Sequence, residues 1–279
     1  MADEAANRIL LDVMHWALLA LGLALPLYAL LRRRLPHRNW GGGGHPAGEG
    51  CDAADLVVAV GFVLLWRLMI GHSASVPATG AHSARLNLQD VAAGALFQLA
   101  IGSFLTFYLH TLRMRNLVAW TGILRHPPAL VLGWALVFLV PAFFALYGVQ
   151  DWSVRSLLEP AGLDDGPQPA VDSFIHAPTL LRLALGVTAV GIAPVIEEFL
   201  FRGFIQQAVK KFTDLPFAVI FSGVVFALAH QHLGSLIPLG LLGMALALAY
   251  EITGSLAVVV LMHALFNLAS LGLLTLGGP

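Results

Sequence analysis

Apolar positions run in long blocks along this chain, broken by short polar connections. A bilayer core of about 30 Å needs roughly 20 consecutive, mostly apolar residues in one helix. Eight stretches approach that length, at 9–31, 54–71, 90–112, 128–148, 178–196, 215–232, 236–250 and 255–276, with the seventh the shortest. The pattern predicts an all-α fold, a polytopic transmembrane helical bundle of about eight spans. The fifth helix is expected to continue through "FRGFIQQAVKKF" to 211. About 34 residues at roughly 1.5 Å each exceed one crossing, so this end should run out to the membrane interface. Pro216 suits the first turn of the next helix, which would make 178–211 and 215–232 an antiparallel pair.

Composition sharpens this picture. The 279 residues are 58% hydrophobic and 11% charged, with a mean hydropathy of +0.81, far from the balance of a soluble domain. A net charge of −1 without a long basic run gives no reason to expect a nucleic-acid partner. A single cysteine, Cys51, excludes an internal disulfide framework and a multi-cysteine metal cluster. The opening "MADEAANR" is acidic and "RRRLPHR" follows the first apolar run, so the first span reads as a retained anchor. The loop "NWGGGGHPAGEG" at 39–50 reads as a flexible connector.

Orientation follows from the basic loops. Arg32, Arg33, Arg34 and Arg38, then Arg113, Arg115 and Arg125, then Lys210 and Lys211 fall on one side, which should be cytoplasmic. The opposite side receives an acidic 151–172 loop with Asp151, Glu159, Asp164, Asp165 and Asp172. With eight spans, both termini are non-cytoplasmic. Asp12 and Arg67, in or near apolar runs, read as side chains snorkelling to an interface.

Charged groups at a helix centre are costly, roughly 2.5–3.5 kcal/mol each on insertion scales, and usually mark a site. Here the intramembrane polar groups collect late in the chain: Glu197, Glu198, Arg202, His230, His232, His263 and Asn267. Glu198 and Arg202 are four apart in the order that favours a same-face ion pair. Glu197 points about 100° away and is left unneutralised. Glu197 and His230 lie equally far from the turn at "FTDLP", and His263 and Asn267 share a face of the last span. Glu197, His230, His263 and Asn267 are therefore expected to converge from three helices. Ion-pair locking and interhelical hydrogen bonding are the purely structural reading of each group alone. His232, at a helix end, reads as a loop or interface residue.

The zinc-protease pattern H-E-x-x-H is absent, the nearest text being "HQHLG". Glu197, His230 and His263 would still form a His₂Glu set compatible with zinc, the alternative cofactor to none at all. Ser222 and Ser270 lack a nucleophile turn, and no intramembrane aspartate pair is present. What remains is a glutamate that activates water: Glu197 as general base, His230 holding the same water, and His263 with Asn267 as donors to the developing oxyanion.

"EEFLFRG" at 197–203, "FALAH" at 226–230 and "HALFN" at 263–267 resemble the motifs E-E-x-x-x-R, F-x-x-x-H and H-x-x-x-N of the CPBP family, the CAAX prenyl protease type II and bacteriocin-processing (Abi) intramembrane proteases. The lead-in "YEITGSLAVVVLMHALFN" is similar to that family's approach to its last motif. The resemblance covers about 175–275. It implies a protease core at 175–276 behind an N-terminal region, 1–150, of unassigned role. It also implies Glu197 as catalytic glutamate, Glu198 and Arg202 as its supporting pair, His230 as water-activating partner, and His263 with Asn267 as oxyanion donors. Phe226 matches the motif aromatic and should pack. The family has been described both as metalloproteases and as metal-independent glutamic proteases, and the charge pattern favours the latter here. The expected protein is a multi-pass endopeptidase of a prokaryotic plasma membrane, its site toward the cytoplasm and its partners the bilayer and a peptide or membrane-anchored substrate. A non-catalytic immunity protein, or a proton-coupled carrier using the Glu–His cluster, is the alternative.

Overall fold

The computed structural model describes residues 2–34, 50–73, 86–163 and 168–276. Residues 39–49 of the Gly-rich connector, Arg38, Asp164 and Asp165 lie outside the described residues, as do the side chains of Arg32, Arg33, Arg34 and Arg67. In chain order the helices are α1 (Ala2–Arg34), α2 (Ala53–Ser73), α3 (Leu88–Phe107), α4 (Leu117–Thr121), α5 (Pro128–Ser153), α6 (Pro169–His176), α7 (Thr179–Val187), α8 (Ala193–Leu200), α9 (Gln206–Phe212), α10 (Leu215–Ala229), α11 (Leu236–Thr253) and α12 (Leu256–Leu276). No strand occurs among the described residues, and the fold is all-α.

Each of the eight apolar stretches lies on helix. Among the described residues, six helical runs are long and apolar enough to cross a membrane: Ile9–Leu31, Leu88–Leu112, Pro128–Ala161, Thr179–Phe212, Leu233–Thr253 and Leu256–Leu276. Shorter apolar helix covers Ala53–Leu65 and Leu215–Ala229. The seventh stretch is thus of full length, and the sixth is the short one. Gln231 takes a left-handed φ of 52° and ends α10. Large apolar side chains are exposed on most of these helices, among them Trp16, Leu23, Val57, Leu96, Phe144 and Leu183, as lipid-facing surfaces require.

The acidic connection is more ordered than its composition suggests. Residues 151–161 prolong α5, helped by an i,i+4 pair between Asp151 and Arg155 at 2.7 Å, and α6 begins with Pro169 in its first turn.

The chain divides into two compact units that alternate along it. Unit 1 comprises Met1–Pro77, Phe144–Gly166 and Phe204–Ile252; unit 2 comprises Ala78–Phe143, Pro167–Gly203 and Thr253–Pro279. In unit 1, Asp214 caps α10 by accepting from Phe217 N at 3.0 Å, and it also accepts a short hydrogen bond from the Tyr28 hydroxyl of α1. Residues 201–209 are buried throughout. This part of the long helix is therefore enclosed by protein, while Lys211 near its end is exposed. Its polar groups converge on Glu251 of α11, which accepts from Gln206 (3.0 Å), Gln207 (3.2 Å) and Lys210 (2.7 Å).

Helices α10 and α11 meet at glycines. A Cβ on Gly223 would stand 2.8 Å from the Gly240 carbonyl oxygen and 3.0 Å from the Met244 nitrogen, both backbone atoms. Gly223→Ala is therefore expected to destabilise the fold by about 1–3 kcal/mol through overpacking, read as a lowered thermal midpoint in detergent.

Unit 2 holds α3 against α8 by the same device: a Cβ on Gly102 would lie 2.5 Å from Ile196 Cδ1. A second cluster packs Val91, Phe174, Ala177 and Leu185.

Candidate active site

The long helix carries the site, and two wide turns in it set where polar groups point. A π-helical turn, Thr188–Ile192, joins α7 to α8, and the Ala193 N–H bonds the Thr188 carbonyl. In that register the Ala189 carbonyl would next receive residue 194, which is proline and has no N–H. The Asn267 side-chain amide on α12 donates to it instead, Nδ2 to oxygen at 2.8 Å. One of the two N–H donors of Asn267 is thus committed to backbone.

This pairing makes a prediction. Asn267→Leu leaves the Ala189 carbonyl without its donor and is expected to cost about 1–3 kcal/mol. Adding Pro194→Ala, which supplies a backbone N–H, should recover part of the loss in thermal unfolding; a loss unchanged by Pro194→Ala would contradict the assignment.

The second π-helical turn, Phe201–Ile205, follows the two glutamates directly, and such turns are frequent at functional sites. The indole N–H of Trp120 on α4 donates to the Gly203 carbonyl in this turn at 2.8 Å, and Arg115 stacks on that indole at 3.9 Å.

Arg202 Nη1 donates to Glu198 Oε1 at 3.0 Å, one turn apart as the spacing predicts, with both side chains fully buried. His263 on α12 donates from Nδ1 to the same oxygen at 2.8 Å and is itself buried. The histidine therefore meets the second glutamate. Because a carboxylate only accepts, Nδ1 carries the proton donated to Glu198.

Glu197 is half-buried. Its Oε1 accepts from Gln98 Nε2 of α3 at 3.4 Å, while its Oε2 is buried with no hydrogen-bond partner among the described residues. His230 ends α10 and belongs to unit 1. Its Nδ1 donates to the Phe226 carbonyl at 2.8 Å, and its ring packs on Phe226 with centroids 4.7 Å apart. Phe226 thus fixes the tautomer as well as packing, leaving Nε2 as a base in the neutral ring. Unit 2 brings together Glu198, Arg202 and His263 in one bonded cluster, with Glu197 beside Gln98 and Asn267 on Ala189.

His232 sits in the loop after α10 as expected, buried, with Nδ1 3.0 Å from Ser235 Oγ. Ser270 donates to its own helix at the Phe266 carbonyl. Among the described residues no three His, Cys, Asp or Glu side chains form a group that could hold a metal ion.

Sequence reasoning passed over Gln98, Trp120 and Glu251. Each carried a signal: a lone amide inside an apolar span, an indole among the arginines of a short loop, and an acid one turn from a helix end.

Residues 179–269 match the family model described as type II CAAX prenyl endopeptidase, Rce1-like. This segment is similar to that family's domain. It agrees with the CPBP motifs, contains all six expected site residues and covers about a third of the chain. No curated protein matches the chain, and no solved structure does. With six helical runs long and apolar enough to cross a membrane among the described residues, three of them in or overlapping the matched segment, the chain is an integral membrane protein.

Proposed function

We propose that the protein is an intramembrane endopeptidase that hydrolyses a peptide bond of a membrane-associated substrate, of the CAAX prenyl type, by a water activated at Glu197. The observation that carries the reading is the buried arrangement on one helix. Glu198 is tied to Arg202 and His263, while the adjacent Glu197 keeps an uncommitted carboxylate oxygen. A stabilised second acid beside a reactive one divides the roles of the "EE" pair.

In the proposed reaction Glu197 Oε2 takes a proton from water as its oxygen attacks the scissile carbonyl carbon. His230 is the proposed water-activating partner, the role that the motif resemblance implies for it. The oxyanion is met by the second N–H of Asn267 and by His263. Collapse of the intermediate breaks the C–N bond, and the proton held by Glu197 passes to the leaving amine. The products are a new carboxylate and a new amine terminus.

The basic residues Arg113, Arg115, Arg125, Lys210 and Lys211 support a site that faces the cytoplasmic leaflet of, on the simplest reading, a prokaryotic plasma membrane. The test is mass spectrometry of a panel of prenylated CAAX peptides and a transmembrane substrate, each incubated with purified protein in liposomes. The proposal expects cleavage at a single bond near the prenylated cysteine. Binding without cleavage, or pH-driven flux without product, would replace it with an immunity protein or a carrier.

A further inference from the structure

Gln98 lies in the first half of the chain, outside the matched segment, yet it reaches the residue on which the proposed chemistry depends. Gln98 and Gly102 are four apart on α3 and share a face. Having no side chain, Gly102 lets α3 close on Ile196 of α8, the residue before Glu197. That approach brings the Gln98 amide within 3.4 Å of Glu197 Oε1. The charged neighbours of Glu197 are committed elsewhere, Glu198 to Arg202 and to His263 of α12. Two buried oxygens beside this contact, Gln98 Oε1 and Glu197 Oε2, have no partner among the described residues.

A side-chain amide has both a donor and an acceptor. Its N–H₂ can hold a carboxylate, and its oxygen can accept from a carboxylic acid. Water activation takes Glu197 through both forms, and a lysine or arginine at position 98 would suit only the first. We propose that Gln98 is a positioning residue for Glu197, its amide holding the carboxyl group in one orientation before and after proton transfer. The inference rests on the protease reading for its kinetic consequence. The contact itself can be tested without cleavage.

The first arm is infrared difference spectroscopy of purified protein in nanodiscs. Wild type minus Glu197→Gln isolates the carboxyl bands of Glu197, and the same difference is taken in a Gln98→Met background, which keeps side-chain length without the amide. The bands are expected to shift, and coincident bands would overturn the pairing. Gln98→Asn, which draws the amide back by one methylene, should shift them in the same direction and provides a second variant if Gln98→Met does not fold. The second arm is kinetic. Gln98→Met should lower kcat by roughly 10- to 100-fold with KM within about twofold, the signature of a misplaced reactive group. A raised KM at unchanged kcat would overturn the positioning role and make Gln98 a substrate contact. Absence of cleavage by folded wild type would remove the protease reading while the infrared arm still decides the pairing.

Discussion

Replacing Glu198 with leucine is expected to lower stability by about 3–5 kcal/mol, the usual consequence of leaving one partner of a buried ion pair unpaired. Arg202 has no exposed surface through which to regain water. His263 would lose the acceptor of its Nδ1–H in the same step. Adding Arg202→Met removes the stranded charge and fills its volume, so the double variant should regain most of the loss. Activity should not return with it, because His263 would still lack the Glu198 acceptor that fixes its ring. Thermal unfolding in detergent and a cleavage assay on the same preparations separate the two effects. Equal stability of the single and double variants would show that the pair is not the buried lock described here.

Glu197→Gln is expected to have the opposite profile, with folding retained and hydrolysis lowered by about a thousandfold or more. A positioned general base contributes roughly 10²–10⁴ in rate, and glutamine keeps the volume but cannot take a proton from water. The folded state depends little on this carboxylate, whose hydrogen bond among the described residues is a long one, from the Gln98 amide at 3.4 Å. The thermal midpoint should therefore stay within a few degrees of wild type.

The fold class and the Glu198–Arg202 pair were legible from local rules, span length and i,i+4 spacing, and both hold in the structure. The two π-helical turns were not legible, because no residue pattern marks such a turn from one sequence. Their consequence, a backbone carbonyl at Ala189 that α12 serves through Asn267, was equally out of reach. Spacing on one helix could say that Glu197 faces away from Glu198, but not that α3 lies in that direction. That depends on Gly102, whose meaning is a close approach between distant segments. The partners of the long helix's polar end were out of reach for a similar reason. Gln206, Gln207 and Lys210 look interfacial until Glu251, some 40 residues later, is placed against them.

Hydrolysis of a prenylated CAAX peptide in ¹⁸O-labelled water by the purified protein, beside Glu197→Gln and with a strong chelator in a parallel arm, tests the central claim most directly. The account predicts one cleaved bond, a single ¹⁸O in the new carboxylate, indifference to chelator and no product from the variant. Product from Glu197→Gln at the wild-type rate, or no product from folded wild type, would contradict it; loss with chelator would move the reaction to a metal and Glu197 to a ligand.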